Sequence, residues 1–291
     1  MQLGLFLPTA SPFATAEWLH EVASEVEARN LHTVWVPEHV VQFDEYGSRY
    51  PYSPDGKIPI PSSSGMLEPF TTLAFLAAAT TKVRLGTSIC LLAQRNPVYA
   101  AKEVSTLDWL SGGRVDLGVG IGWLREEYEA VGVPWARRGQ RTEECIAALR
   151  SFWCDEVSSF EGETFSVPAC TMNPKPLQQP HPPVHIGGES DAAISRAARV
   201  GQGWHTFGRL PADVPVALAL LDAELEKAGR TRAGFQVTVS PYLHPLTPEM
   251  VDQYAETGID QLSVMLVAFT PTDVAPQLDL LEPCFDRARR S

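Results

Sequence analysis

Short apolar runs alternate along the whole chain with longer stretches in which apolar residues recur every three or four positions. The runs read as strands buried on both faces, and the stretches as amphipathic helices. Residues 3–7 form the first strand. A helix over 16–29 follows, with Thr15 as its N-cap and Trp18, Leu19, Val22, Ala23 and Val26 as its buried stripe. The second strand is 33–37, ending in Glu38 and His39. Residues 40–68 show neither period; they are rich in proline, serine and glycine and carry Tyr46, Tyr50 and Tyr52. Pro69 opens a helix to 80, residues 83–92 form the third strand, and Asn96 and Pro97 start a helix that closes at Gly112 and Gly113.

The fourth strand starts at Arg114. Val115, Leu117, Val119 and Ile121 point one way, while Asp116, Gly118, Gly120 and Gly122 point the other. Glycine weakens a strand, so three in register mark close packing in a barrel interior or room for something bulky. A helical turn at 126–131 and a helix at 140–153 follow. Residues 154–183 interrupt the rhythm with a hairpin-like Phe160-Glu161-Gly162-Glu163-Thr164-Phe165 and a proline-rich run. Strands at 184–187, 203–207, 235–240 and 261–267 then alternate with helices at 190–200, 212–228, 248–257 and 272–289. Eight strands alternating with eight helices predict an α/β fold, a (β/α)8 TIM barrel. It forms a single domain over 1–291, with a lid loop at 40–68 and an insertion at 154–183 between the fourth helix and the fifth strand.

Composition narrows the function. Apolar residues make up 44% and the formal net charge is -12, which excludes nucleic acid and anionic membrane as partners. Five scattered cysteines lack C-x-x-C spacing and read as reduced thiols. The chain starts without a basic region, its apolar run is too short for a signal peptide, and nothing has bilayer-spanning length; the expected location is cytoplasmic. Metal-dependent and serine hydrolysis lack their signatures: the first strand carries no H-x-H pair, His181 and His185 are separated by prolines, and no Gly-x-Ser-x-Gly elbow occurs. No metal is expected.

In this architecture the chemistry lies at the carboxyl ends of the strands. His39 stands directly after the second strand and is the candidate acid or base. Glu38, next in sequence, points elsewhere unless the backbone turns, and is a candidate to orient a neighbour. Gly187-Gly188-Glu189-Ser190 leaves a strand through glycines and enters a helix. Its exposed amides and the helix dipole suit an anion, while a tight turn with an ordinary serine cap is the alternative. Glu189 fits beside an anion only if it turns away or binds a sugar-like hydroxyl. Arg137, Arg138 and Arg141 offer a local basic cluster.

These segments resemble the luciferase-like monooxygenase superfamily. The resemblance rests on Trp35-Val36-Pro37-Glu38-His39, Leu85-Gly86-Thr87-Ser88-Ile89, Arg95-Asn96-Pro97, Leu107-Asp108-Trp109-Leu110-Ser111-Gly112-Gly113-Arg114, Leu117-Gly118-Val119-Gly120-Ile121-Gly122-Trp123 and Ile186-Gly187-Gly188-Glu189-Ser190. The tyrosine-rich loop and Trp123-Leu124-Arg125-Glu126-Glu127 look most like its F420-dependent oxidoreductases. The resemblance implies a barrel that binds coenzyme F420, or alternatively FMN. Ser88–Ile89 would form a non-prolyl cis peptide behind the ring, and Gly120 and Gly122, with Trp123 at the mouth, would leave it room. Gly187, Gly188, Glu189 and Ser190 would hold the phosphate, and His39, with Glu38 beside it, would be catalytic. Glu38 stands where many F420-dependent dehydrogenases carry aspartate. Trp123 lies where sugar-phosphate dehydrogenase members carry glutamate, which points to a less polar substrate.

The implied reaction is hydride transfer between F420 and a small, fairly apolar organic substrate, by a homodimer. The alternatives are an FMN-dependent monooxygenase fed by a separate flavin reductase, and a catalytically silent flavin-binding homologue.

Overall fold

The computed structural model describes residues 1–290. Eight parallel strands close into a barrel: β1 (Gln2–Phe6), β2 (Thr33–Val36), β3 (Arg84–Thr87), β4 (Val115–Val119), β7 (Val184–Gly187), β8 (Gly203–Phe207), β9 (Gln236–Ser240) and β10 (Gln261–Met265). Closure comes from β1 pairing with β10, with Gln2 opposite Gln261 and Phe6 opposite Met265. The outer layer holds α1 (Ala16–Ala28), α2 (Pro69–Ala79), α3 (Pro97–Ser111), α4 (Arg125–Ala130), α5 (Arg138–Cys154), α6 (Asp191–Val200), α7 (Val214–Lys227), α8 (Pro248–Glu256) and α9 (Pro271–Arg290). The insertion carries an antiparallel hairpin, β5 (Ser158–Glu161) and β6 (Ser166–Cys170). The (β/α)8 barrel is therefore the observed fold.

Local sequence accounts for the element ends. Thr15 accepts the Trp18 amide at the start of α1, and Asn96 accepts the amides of Val98 and Tyr99 at the start of α3. Gly112 ends α3 in the left-handed region, where glycine carries no Cβ penalty. Among the described residues no helix is long and apolar enough to cross a membrane.

Inside the barrel Trp35 is fully buried and packs edge-on against His185 and His205. Its ring lies against two glycines on flanking strands: a Cβ added at Gly86 would sit 2.2 Å from the ring, and one at Gly4 2.9 Å from Nε1. The indole Nε1–H donates to Gln261 Oε1 at 2.9 Å, so the buried ring keeps its one polar group satisfied. Gln261 in turn donates to Thr33 Oγ1 at 3.0 Å. A second buried network joins Arg84 to Asp116 at 2.7 and 2.9 Å, with His185 Nε2 at 3.4 Å on the other side. Burial works to raise the Asp116 pKa, but the hydrogen bonds from His185 and Arg84 outweigh it and bring it to about 2.

The third strand is shorter than the sequence suggests, ending at Thr87 and not at 92. The Ser88–Ile89 peptide is cis, and the chain leaves the ladder there as a bulge before a 3-10 turn at Leu92–Gln94. The Cys90 amide donates to Gly118 O at 2.7 Å and the Gly120 amide to Cys90 O at 3.0 Å, which fastens the bulge to β4. The fourth strand ends at Val119 and the eighth barrel strand at Met265, both short of their apolar runs, because pairing stops at the barrel rim.

The bulge also answers what faces the glycine row. A Cβ at Gly118 would lie 1.9 Å from the Thr87 carbonyl oxygen, one at Gly120 1.6 Å from Ile89 Cδ1, and one at Gly187 2.6 Å from Ile89 Cγ2. Of the two readings of the glycine row, close packing describes Gly118 and Gly120, because the Thr87 carbonyl and Ile89 fill the space that the resemblance would leave to a ring. We expect Gly118→Ala, which must move backbone, to destabilise the fold by about 3 kcal/mol, at the upper end for overpacking. Gly65→Ala, which meets nothing within 4 Å, should stay within about 0.5 kcal/mol. Denaturant midpoints of the two variants check the contrast.

Candidate active site

The carboxyl ends of the barrel strands converge on His39. Its Nδ1 lies 3.3 Å from both oxygens of Glu127 on α4, a carboxylate with no exposed surface. The Trp123 indole N–H donates to His39 Nε2 at 3.3 Å, with the two rings edge to face at 5.6 Å. These partners fix the tautomer: Nδ1 carries the proton and donates to Glu127, while Nε2 accepts. Glu127 is held in turn by the Val40 amide at 2.7 Å and by Gln94 Nε2 at 3.2 Å. The result is a buried carboxylate orienting an imidazole whose other nitrogen is turned toward the mouth. Glu127 is the residue that inspection of the sequence misses. Its only local sign is an acid in a short helical turn, where a solvated face is the ordinary expectation.

Glu38 is placed elsewhere, and the catalytic role expected for it is not what its contacts suit. Its carboxylate accepts from Arg95 Nε at 2.9 Å and from the Leu91 amide at 2.6 Å, facing the bulge and away from His39. Arg95 also pairs with Glu68 at 2.6 Å and Glu103 at 3.1 Å. The signal for this pairing is present only as Arg95-Asn96-Pro97, far along the chain. Glu38 thereby holds the bulge that carries Ser88 and Ile89.

Ser88 is buried, with Oγ 3.4 Å from His205 Nε2. His205 sits edge-on to Trp35 at 4.6 Å and stacks on Phe207 at 5.5 Å, while its Nδ1 has no partner among the described residues. Burial, with His185 nearby, pushes its pKa down to about 3. Gly122 turns the chain with φ of 70° and packs against Leu91 and Tyr128.

At the turn after β7, Gly188 has φ of 120° and Ser190 caps α6, accepting the Ala193 amide at 3.2 Å. Glu189 turns away, accepting from Thr206 Oγ1 at 2.5 Å and the Phe207 amide at 2.7 Å, and pairing with Arg209 at 2.7 Å. Glu189 is thereby drawn off the start of α6, whose first turn still carries Asp191. The basic cluster disperses. Arg137 turns to Gln140 and Glu163, and Arg141 donates to Ala93 O at 2.9 Å. Arg138 lies over the Trp135 ring at 3.6 Å with a buried, unpartnered Nε.

The loop over 40–68 lies across the mouth as an aromatic cover. Tyr46 and Tyr50 pack on Trp123 at 5.5 and 5.1 Å, and Tyr52 meets Phe207 at 5.7 Å. Gly47 and Ser48 tie the cover to Glu126, with donors at 2.6 and 2.7 Å.

The family profile described as luciferase-like monooxygenase matches residues 1–278. The chain belongs to the luciferase-like monooxygenase family. An uncharacterized protein of Mycobacterium tuberculosis is 34% identical over 243 residues, which is 84% of this chain and 83% of that protein. The FMNH2-dependent dimethylsulfone monooxygenase of Pseudomonas putida is 40% identical over 136 residues, 46% of this chain and 37% of that enzyme. Among solved structures, an F420-dependent secondary alcohol dehydrogenase with an F420–acetone adduct has a TM-score of 0.77 at 17% identity, covering 99% of this chain and 98% of that one. That last likeness is one of fold. The chain therefore belongs to a family of oxidoreductases and monooxygenases.

The unfolded chain binds a proton on His205 near pH 6.5 that the folded chain refuses until about pH 3. Stability therefore rises with pH across that window, by up to about 1.4 kcal/mol per pH unit from this group. His205→Gln should flatten the slope between about pH 6 and about pH 4, whatever its cost at neutral pH; denaturant unfolding at a series of pH values measures it.

Proposed function

We propose that this luciferase-like enzyme passes hydride between coenzyme F420 and a small, fairly apolar organic substrate. The observation that carries the proposal is the His39–Glu127 couple, an oriented imidazole with one nitrogen turned to an aromatic mouth. Hydride transfer to or from a carbonyl carbon needs a proton given to or taken from the adjacent oxygen, and this couple suits that task.

The residues present fit the cofactor. Gly188, Ser190 and the first amides of α6 would take its phosphate, with Glu189 turned aside and the spare Nε of Arg138 as a further donor. Ile89, seated on the glycines, would back the ring, and Ser88 and Gly122 would border it. The cofactor, when bound, supplies the carbon that gives or accepts hydride. The chain's own part is placement, exclusion of water and proton handling. Glu127 holds the Nδ1 proton of His39, so that Nε2 is the atom that exchanges a proton with the substrate oxygen. Trp123 must release Nε2 for that exchange. The aromatic cover, closed as a lid, keeps the site dry, which strengthens each polar contact inside it. Glu38 is a positioning residue that acts through the bulge.

A second reading, FMN-dependent monooxygenation with reduced flavin from a separate reductase, draws support from the 40% identity to the dimethylsulfone monooxygenase. Titration of the purified chain with F420 and with reduced FMN decides between them. The expected result is tight binding of F420, and tight binding of reduced FMN alone overturns the primary reading. His39→Asn should lower kcat about a hundredfold or more with the cofactor Kd unchanged. Glu127→Gln should lower kcat about tenfold and leave substrate KM within about twofold, because it disturbs imidazole orientation and not substrate contact. Steady-state kinetics together with cofactor titration check both.

A further inference from the structure

Beyond Trp123 and Tyr50, the rings of Phe6, Phe207, Tyr52 and Tyr242 pack together at the mouth. Phe6 and Phe207 meet edge to face at 5.2 Å, and Tyr242 lies 5.2 Å from Phe207, 6.1 Å from Tyr52 and 6.3 Å from Phe6. Such a wall accepts a further ring or branched apolar body in the same edge-to-face manner.

Tyr242 stands out for its backbone. Its φ is 54°, in the left-handed region that a bulky residue adopts only when its surroundings impose it. The Ser240 hydroxyl oxygen holds it there, accepting the Tyr242 amide at 3.2 Å. Backbone held in this way clusters at ligand-binding positions. The ring is thereby fixed on the rim of the barrel, whereas its hydrogen-bond partner belongs to the loop that covers the mouth.

That partner is Tyr50, 192 residues away, whose hydroxyl donates to the Tyr242 oxygen at 2.9 Å. Two hydroxyls bonded only to each other use one hydrogen and leave the other over. The remaining hydrogen, on Tyr242, has no acceptor among the described residues. Accepting one bond polarises a hydroxyl and strengthens the bond that it donates. Burial raises the pKa of both phenols, so each keeps its proton at neutral pH.

We propose that the Tyr242 hydroxyl is a specificity-determining donor, binding the carbonyl or hydroxyl oxygen of a compact ketone or alcohol whose ring or branched body rests on Phe6 and Phe207. This deepens the proposal above and rests on the mouth being the substrate site. It narrows "fairly apolar" to a molecule with one oxygen acceptor beside a bulky hydrocarbon part. Linear hydrocarbons would gain nothing from the donor, and multiply charged substrates would find no countercharge on this wall.

The test uses two probes of nearly equal shape, para-fluoroacetophenone and para-fluoroethylbenzene, titrated into the full-length chain by fluorine NMR. Neither probe requires turnover. The wild-type chain should bind the ketone about five- to tenfold more tightly than the hydrocarbon, the worth of one neutral hydrogen bond. Tyr242→Phe should cut that preference below about twofold, leaving the hydrocarbon affinity unchanged; Tyr50→Phe should keep most of it, because Tyr242 still donates. Equal binding of the two probes, binding of neither, or a ketone preference that survives in Tyr242→Phe overturns the assignment. The F420 titration fails or succeeds independently of these outcomes, so loss of the hydride-transfer reading is distinguishable from loss of this one.

Discussion

The structure depends on how Trp35 is seated in the bore of the barrel. A fully buried indole between strands β1 and β3 is tolerated because Gly4 and Gly86 present no side chains to it. Its polar edge is met by Gln261, whose amide is itself engaged with Thr33. Removing that ring would open a cavity of tryptophan size beneath the mouth, and truncations of that kind cost about 3 to 5 kcal/mol. His185 and His205 lie edge-on to it. Ser88 and the bulge rest above His205, so the floor of the site is referred, contact by contact, to one side chain.

Above that floor the work is divided by location. The bulge between β3 and α3 is held by Ile89 on the glycines of β4 and β7, and by the Glu38–Arg95 pair. Proton handling belongs to His39, supported from α4 by Glu127 and capped by Trp123. Anion binding is proposed for the turn after β7, where Glu189 has been drawn off by Thr206, Phe207 and Arg209. Burial raises the Glu189 pKa, and those three donors work against the rise. None of these groups shares a side chain with another, so each function can be altered with its neighbours left in place.

Much of this was legible in the sequence, for a physical reason. Apolar periodicity reports burial directly, so the eight strands and their helices were placed by residues such as Trp18, Val22 and Val26 in α1. Glycine runs and strand ends marked His39 and the turn at Gly188–Ser190, whereas the cis peptide at Ser88–Ile89 came from the family resemblance alone. What could not be read depends on partners distant in the chain. Glu38 was expected to point away from His39, but the group it turns to, Arg95, lies 57 residues along the chain and cannot be read from Glu38 itself. Glu127 was given no role from sequence, since the contacts that hold it, the Val40 amide and Gln94, come from distant segments. The glycine row left close packing and room for a ring both open, and the residue that decides for close packing, Ile89, sits in the bulge after β3.

The loop over 40–68 is tied at both ends to groups that serve the site. At one end the Val40 amide donates to Glu127; at the other Glu68 caps α2, accepting the Thr71 amide at 2.7 Å, and pairs with Arg95. Between these two anchors lies a segment with no helix or strand of its own, whose tyrosines face the mouth. Such a segment behaves as a replaceable cassette. Its interior can diverge, changing the shape offered to a substrate, while the two anchoring contacts keep the acid–base couple and the bulge in register. Descent within one barrel family can then generate new substrate ranges by rewriting a single loop, with the machinery beneath it conserved in form.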